Sequence, residues 1–213
     1  MATRAETWVS AVPYLPRKVS LKSLREASSE CQGCPLFRNA TQTVFGQGRR
    51  DARVMLVGEQ PGNAEDLQGA PFVGPAGRVL DGALQSAGID RDDAYVTNVV
   101  KHFKWIAMNR RRMHKKPNAR EIAACIPWLE KELEVVKPQI LICLGATAAQ
   151  ALLGPEIRVT RDRGVLRDTT LAGRALATIH PSSILRQPTS EDRRREMARF
   201  TDDLRVVARA LEA

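Results

Sequence analysis

Histidine and cysteine are scarce in this 213-residue chain, with three and four residues, and aromatic residues make up only 5%. So few cysteines in a chain of this size argue against a disulfide framework and leave a metal site or ordinary buried thiols. No apolar run approaches the roughly 18 residues of a membrane span. The N-terminus also lacks an apolar core followed by a cleavage site. The expectation is therefore a soluble, cytoplasmic protein with no membrane partner. Internal repeats and low-complexity segments are missing too. Residues 1–19 read as a loose, flexible arm and residues 20–213 as one domain.

Positive charge is what the chain has in excess: 33 Lys and Arg against 24 Asp and Glu, a formal net charge of +9. That balance favours a polyanionic partner, nucleic acid first, because neutralising phosphates releases condensed counterions. The densest basic stretch is NRRRMHKKPN at 109–118, where His114 sits among Arg110, Arg111, Arg112, Lys115 and Lys116 with no acidic residue between them. A cationic surround disfavours imidazolium, so a neutral His114 is expected, able to accept a proton or act as a nucleophile. The plainer reading is a solvated loop that grips phosphates.

Cys31 and Cys34, in CQGC, have the spacing that lets two thiolates face one metal centre. Cys143 lies in the apolar run 139–144 and passes for a core residue. Residues alone do not choose between a four-cysteine zinc site and an iron-sulfur cluster.

Four β-rich runs, at 53–57, 94–100, 139–144 and 174–179, are mostly continuous in apolar residues, as strands covered on both faces should be. Helical patterns separate them. Pro75 and Gly88 bracket one, and Asn118 with Glu121 opens another, in which Pro127 predicts a kink or break. Two more are expected at 147–153 and from Ser190 onward. Strand alternating with helix predicts an α/β sandwich. The strands run into GEQPG at 58–62, Asn98 with Lys101 and His102, Gly145, and HPSS at 180–183. Ligands of open α/β sheets bind beyond the carboxyl ends of strands, so these endings converge on one expected site.

CQGC, GEQPG, PFVGPAGR at 71–78, YVTNVVKHFK at 95–104, the basic stretch, CIPW at 125–128 with Cys143, and HPSS together resemble the uracil-DNA glycosylase superfamily. The resemblance is closer to the iron-sulfur family 4 branch and, within it, to the UdgX group, and runs from about residue 28 to 208. It implies a three-layer α/β/α sandwich with a central four-stranded parallel sheet. It also implies a [4Fe-4S] cluster on Cys31, Cys34, Cys125 and Cys143. The implied partner is uracil-containing DNA, single-stranded for preference, bound by a monomer.

By the same resemblance, Phe72 stacks on the extruded uracil, Asn98 reads its edge, and His180 donates to the departing carbonyl oxygen. Gln60 joins the catalytic and uracil-binding set, in the place where the superfamily often has a water-activating carboxylate. Lys101, Arg110, Arg111, Arg112, Ser182 and Ser183 contact DNA, and N–H groups near Gly62 and Gly145 help to hold its phosphates. In the UdgX group a histidine closing a Lys/Arg-rich insertion attacks C1′ and leaves the protein joined to the abasic sugar; here that residue is His114. Glu59 polarises the site or accepts a proton, and Arg112 braces the loop. Here the loop reads RRRMH where the group commonly has KRRIH, and Asn63 stands where an acidic residue is expected, leaving Asp66 as the nearer carboxylate. Two other readings fit the sequence: a conventional glycosylase that releases a free abasic site, and a DNA-binding domain with no catalytic activity.

Overall fold

Apolar residues that alternate between two covered faces build the sheet. In the computed structural model, which describes residues 10–109 and 111–212, the elements in chain order are α1 (Leu21–Ser28), β1 (Val54–Gly58), α2 (Asn63–Gln68), α3 (Pro75–Ala87), β2 (Ala94–Asn98), β3 (Trp105–Met108), β4 (Arg111–His114), α4 (Ala119–Val136), β5 (Ile140–Leu144), α5 (Ala146–Leu153), α6 (Val159–Asp162), β6 (Leu166–Asp168), β7 (Arg174–Thr178), α7 (Pro181–Leu185) and α8 (Ser190–Glu212). Met55, Val57, Leu141 and Cys143 face one core layer, with residues of α1, α4 and α5. Val54, Leu56, Ile140 and Ile142 face the other, with α3 and α8. Both sides of each strand are buried, which explains runs too apolar for simple alternation.

The sheet order is β2-β1-β5-β7-β6. The four expected strands are its parallel members, and the expected count of four is corrected to five by β6, antiparallel to β7. β6 spans three residues, two of them exposed, too short to leave an apolar pattern in the sequence. Register aligns Gly58 with Asn98, Cys143 with Val57, and Leu144 with Thr178, so the strands end together along one edge.

Proline at the first turn and Gly88 at φ 79° delimit α3 as expected. Asn118 caps α4 through a capping box with Glu121. The break expected at Pro127 does not occur: helix continues to Val136, held by Trp128, Leu129 and Leu133 in the core. Burying these side chains outweighs the one backbone donor that proline removes. The arm is also corrected in part. Residues 1–9 lie outside the described residues, but Ala11 is buried and donates its N–H to Ala124 O at 2.8 Å, and Tyr14, Leu15 and Val19 pack on the core. Among the described residues, no helix is long and apolar enough to cross a membrane.

Candidate active site

The aligned strand ends open on a pocket of about 540 Å³. Glu59, Gln60, Phe72, Asn98, His114, His180 and Ser182, all expected from sequence, line it together. So does Lys116 of the basic stretch, and so do Glu65, Thr147 and Arg186, to which sequence reasoning gave no role. Thr147 had a usable signal, since it lies two residues past the strand-end Gly145 on the first turn of α5. Arg186 had none.

Asn98 ends β2 and is 3% exposed. No other described residue hydrogen-bonds its side-chain amide, which therefore faces the pocket with donor and acceptor free. Gly58, its neighbour across the ladder, has to be small: a Cβ there would sit 2.4 Å from Asn98 Oδ1 and 2.9 Å from Phe72 Cζ. Phe72 takes the left-handed φ of 56°, and Gly77 lies so close behind it that a Cβ would meet Phe72 O at 1.6 Å. That strained turn sets the Phe72 ring 6.1 Å from the His180 ring, at 27°.

His180 caps α7, its Nδ1 accepting the Ser182 N–H at 3.2 Å and standing 2.8 Å from Ser182 Oγ. Arg186 donates to the same Oγ at 2.9 Å, which turns the hydroxyl proton toward Nδ1. An accepting Nδ1 leaves the ring proton on Nε2. Burial lowers the His180 pKa to about 4, so the ring is a neutral donor near pH 7.

Glu59 receives a short hydrogen bond from Thr147 Oγ1, and His114 Nε2 lies 3.3 Å from its Oε1. Burial alone raises the Glu59 carboxyl, but the hydrogen bonds from His114 and Thr147, with the charge of Lys116, bring it below its ordinary value. The expectation that guanidinium groups surround His114 is corrected for Arg112. Arg112 turns away, donating to Asn63 Oδ1 at 2.7 Å and to Asp66 Oδ2 at 2.6 Å, with its guanidinium 5.5 Å from both the Phe103 and Trp105 rings. Among the described residues, the charged side chain within ion-pair reach of His114 is the anion Glu59. Arg112 is thus engaged within the protein by Asn63, Thr41 and Asp66, and Asn63 accepts where an acidic residue was anticipated. Arg111 is exposed on β4, and Arg110 lies outside the described residues.

Gln60 has a different place from the one expected. Its Nε2 donates to Lys104 O at 3.2 Å and to Lys115 O at 3.1 Å, while its Oε1 accepts from Lys104 N at 3.1 Å. Both amide donors and the carbonyl are committed to the base of the β3–β4 hairpin, so this side chain is a latch and does not read uracil.

Lys101 is also corrected. Its side chain is 1% exposed, Nζ donating to Thr97 Oγ1 at 2.7 Å and Asn98 O at 2.8 Å and pairing with buried Glu132, so it cannot reach a phosphate. Ser183 Oγ donates to His180 O at 2.7 Å, and the Gly145 N–H to Thr178 O at 2.8 Å; neither points at a ligand.

Cys31, Cys34, Cys125 and Cys143 are 6%, 7%, 4% and 0% exposed and share the core layer of α1 and α4. Burial pushes the Cys34 thiol up to about 11 and those of Cys125 and Cys143 to about 12. Trp128 Nε1–H reaches Cys31 Sγ and Lys101 N–H reaches Cys125 Sγ, each at 3.3 Å, as donors do around sulfur ligands. Among the described residues, no three thiol, imidazole or carboxylate groups converge as they would around one ion.

The family model of the uracil DNA glycosylase superfamily matches residues 45–205. The type-4 uracil-DNA glycosylase of Thermotoga maritima is 37% identical over 179 residues, 84% of this chain and 90% of that protein. Those of Pyrobaculum aerophilum and Archaeoglobus fulgidus are 36% and 33% identical, covering 80% and 79% of this chain and 87% and 85% of their own lengths. With these matches spanning the strand-end pocket and the elements around it, the chain belongs to the uracil-DNA glycosylase superfamily and to its type-4 family.

Proposed function

We propose that this protein excises uracil from DNA and then captures the abasic sugar through His114. The observation that carries excision is the pocket itself, where the Phe72 ring, a free Asn98 amide and a neutral His180 donor converge. A flipped uracil stacks on Phe72, and the Asn98 amide pairs with its N3–H and O4, a pattern that the amino group of cytosine mismatches. As the C1′–N1 bond breaks, its electron pair leaves with the base, and His180 Nε2–H donates to the carbonyl oxygen that gathers the charge. Ser182 and Arg186, at the pocket rim, are the phosphate contacts.

Capture rests on the hairpin. Gln60, at the sequence position where the superfamily often has a water-activating carboxylate, is committed to the β3–β4 base, while His114 stands on the pocket wall beside Glu59. An imidazole lone pair bonds to C1′ as the sugar becomes cationic, and the alkylated ring releases its remaining N–H proton toward Glu59. A free abasic product is the second reading, favoured by the type-4 relatives. In it, water takes the place of His114 and Glu59, beside that histidine on the pocket wall, is the carboxylate that activates it.

The four buried cysteines suit a [4Fe-4S] cluster by donor chemistry, and the N–H groups aimed at two sulfurs fit thiolate ligands. Bound there, a cluster would tie together the segment after α1, helix α4 and strand β5. Chromatography of free uracil, after incubation with a single-stranded uracil oligonucleotide, tests excision: uracil in proportion to protein is expected, and none released would overturn it.

A further inference from the structure

The β3–β4 hairpin carries different chemistry on its two faces. Trp105 pairs with His114 and Ala107 with Arg112, and from this face Trp105, His114 and Arg112 reach Asn39, Glu59 and Asp66. The alternate pairs, Ile106 with Met113 and Met108 with Arg111, project the other way, as successive strand residues must. Ile106, Met108 and Met113 are 47%, 50% and 40% exposed. Exposed Arg111 pairs with Met108 on this face, exposed Lys115 and Lys116 follow the hairpin in sequence, and the hairpin strands themselves carry no acidic residue.

The position of the face is as telling as its composition. The hairpin follows β2, at one end of the sheet order, and α7 follows β7, toward the other, so the pocket mouth lies between a rim with His114 and Lys116 and a rim with Ser182 and Arg186. A strand that turns one nucleotide into the pocket leaves over both rims, and one flanking nucleotide crosses the hairpin. Apolar surface bordered by cations matches an unpaired base with its phosphates: base faces stack on the side chains while the cations meet the backbone.

We propose that the outer hairpin face, Ile106 and Met113 with Met108 beside them, is a stacking platform for the unpaired base next to the target uracil. This rests on uracil-containing DNA as substrate, and it gives the enzyme a physical preference for single strands. In a duplex the flanking base is paired and stacked on its own neighbours, and does not reach the platform.

Fluorescence anisotropy with a single-stranded oligonucleotide containing 2′-fluoro-deoxyuridine, which resists cleavage, measures binding without capture. The native protein is compared with the double variant Ile106→Thr/Met113→Thr, which keeps strand-forming residues at exposed positions. Each base beside the uracil is replaced in turn by an abasic spacer. The native protein is expected to lose about tenfold in affinity when the spacer lies on one side, as removal of one stacked base predicts. The variant should bind the intact strand about tenfold more weakly, ignore the spacer, and match the native protein on duplex. An unchanged melting temperature excludes unfolding. Equal spacer penalties in the two proteins, or a variant that binds as tightly as the native chain, would overturn the platform, and the second outcome would leave the face to a protein partner. Uracil release from an ordinary deoxyuridine strand, measured in parallel, separates failure of the platform from failure of the enzymatic reading.

Discussion

At the scale of single residues, the site is built by what each side chain is not already doing. Asn98 is buried as a residue, and among the described residues nothing hydrogen-bonds its amide, which opens on the pocket. Asn98→Ala is therefore expected to cut uracil release by at least about a hundredfold, in the range of losing one buried recognition group. Binding to uracil-free DNA should be unchanged in anisotropy, because the proposed contact of Asn98 is with the base and not the backbone. Lys101 shows the opposite case. The family resemblance placed it with the DNA-binding residues. Its partner Glu132 is 31 positions away on α4, and only the fold brings the two together. Glu132→Leu leaves that ammonium buried and uncompensated, and a loss of roughly 3–5 kcal/mol is expected in urea unfolding.

At the scale of elements, legibility follows the length of the pattern. The parallel strands and α3 carry their burial signal within a few consecutive residues, so 53–57 and 174–179 are readable, as are the proline and glycine around α3. The β3–β4 hairpin is not readable this way. Its outer face exposes Ile106, Met108 and Met113, its inner face mixes Trp105 and Ala107 with His114 and Arg112, and its base is fastened by Gln60, which lies 44 residues from Lys104. Sequence located His114 within a basic stretch and surrounded it with positive charge, while the fold sets it against Glu59. Latching has a measurable consequence. Under the proposed capture, Gln60→Ala should slow adduct formation by about tenfold or more while uracil release falls less, because the hairpin that Gln60 fastens carries His114 and not Asn98 or His180. Parallel time courses of adduct and free uracil read the two rates.

At the scale of the whole molecule, charge and titration set the working range. Burial lowers both His102 and His180 to about 4 from the ordinary 6.5. Their neutral forms favour the fold fully above pH 6.5, and this stability is lost as pH falls from there toward 4, because the unfolded chain takes up protons first. Thermal melts should show a midpoint that is flat above neutrality and drops across that window. An unchanged midpoint at pH 5 would remove the assignment. The charge excess belongs to the same scale. Arg111→Ala with Lys115→Ala is expected to reduce the slope of log affinity against log salt by roughly 0.7 per lost single-strand phosphate contact.

The decisive comparison is a denaturing gel of native protein and His114→Ser after incubation with a single-stranded uracil oligonucleotide. The native chain should give a heat-resistant shifted band, one sugar per protein, and His114→Ser should release uracil without that band. Native protein that leaves only free abasic DNA, or a shifted band that survives the substitution, would contradict capture through His114.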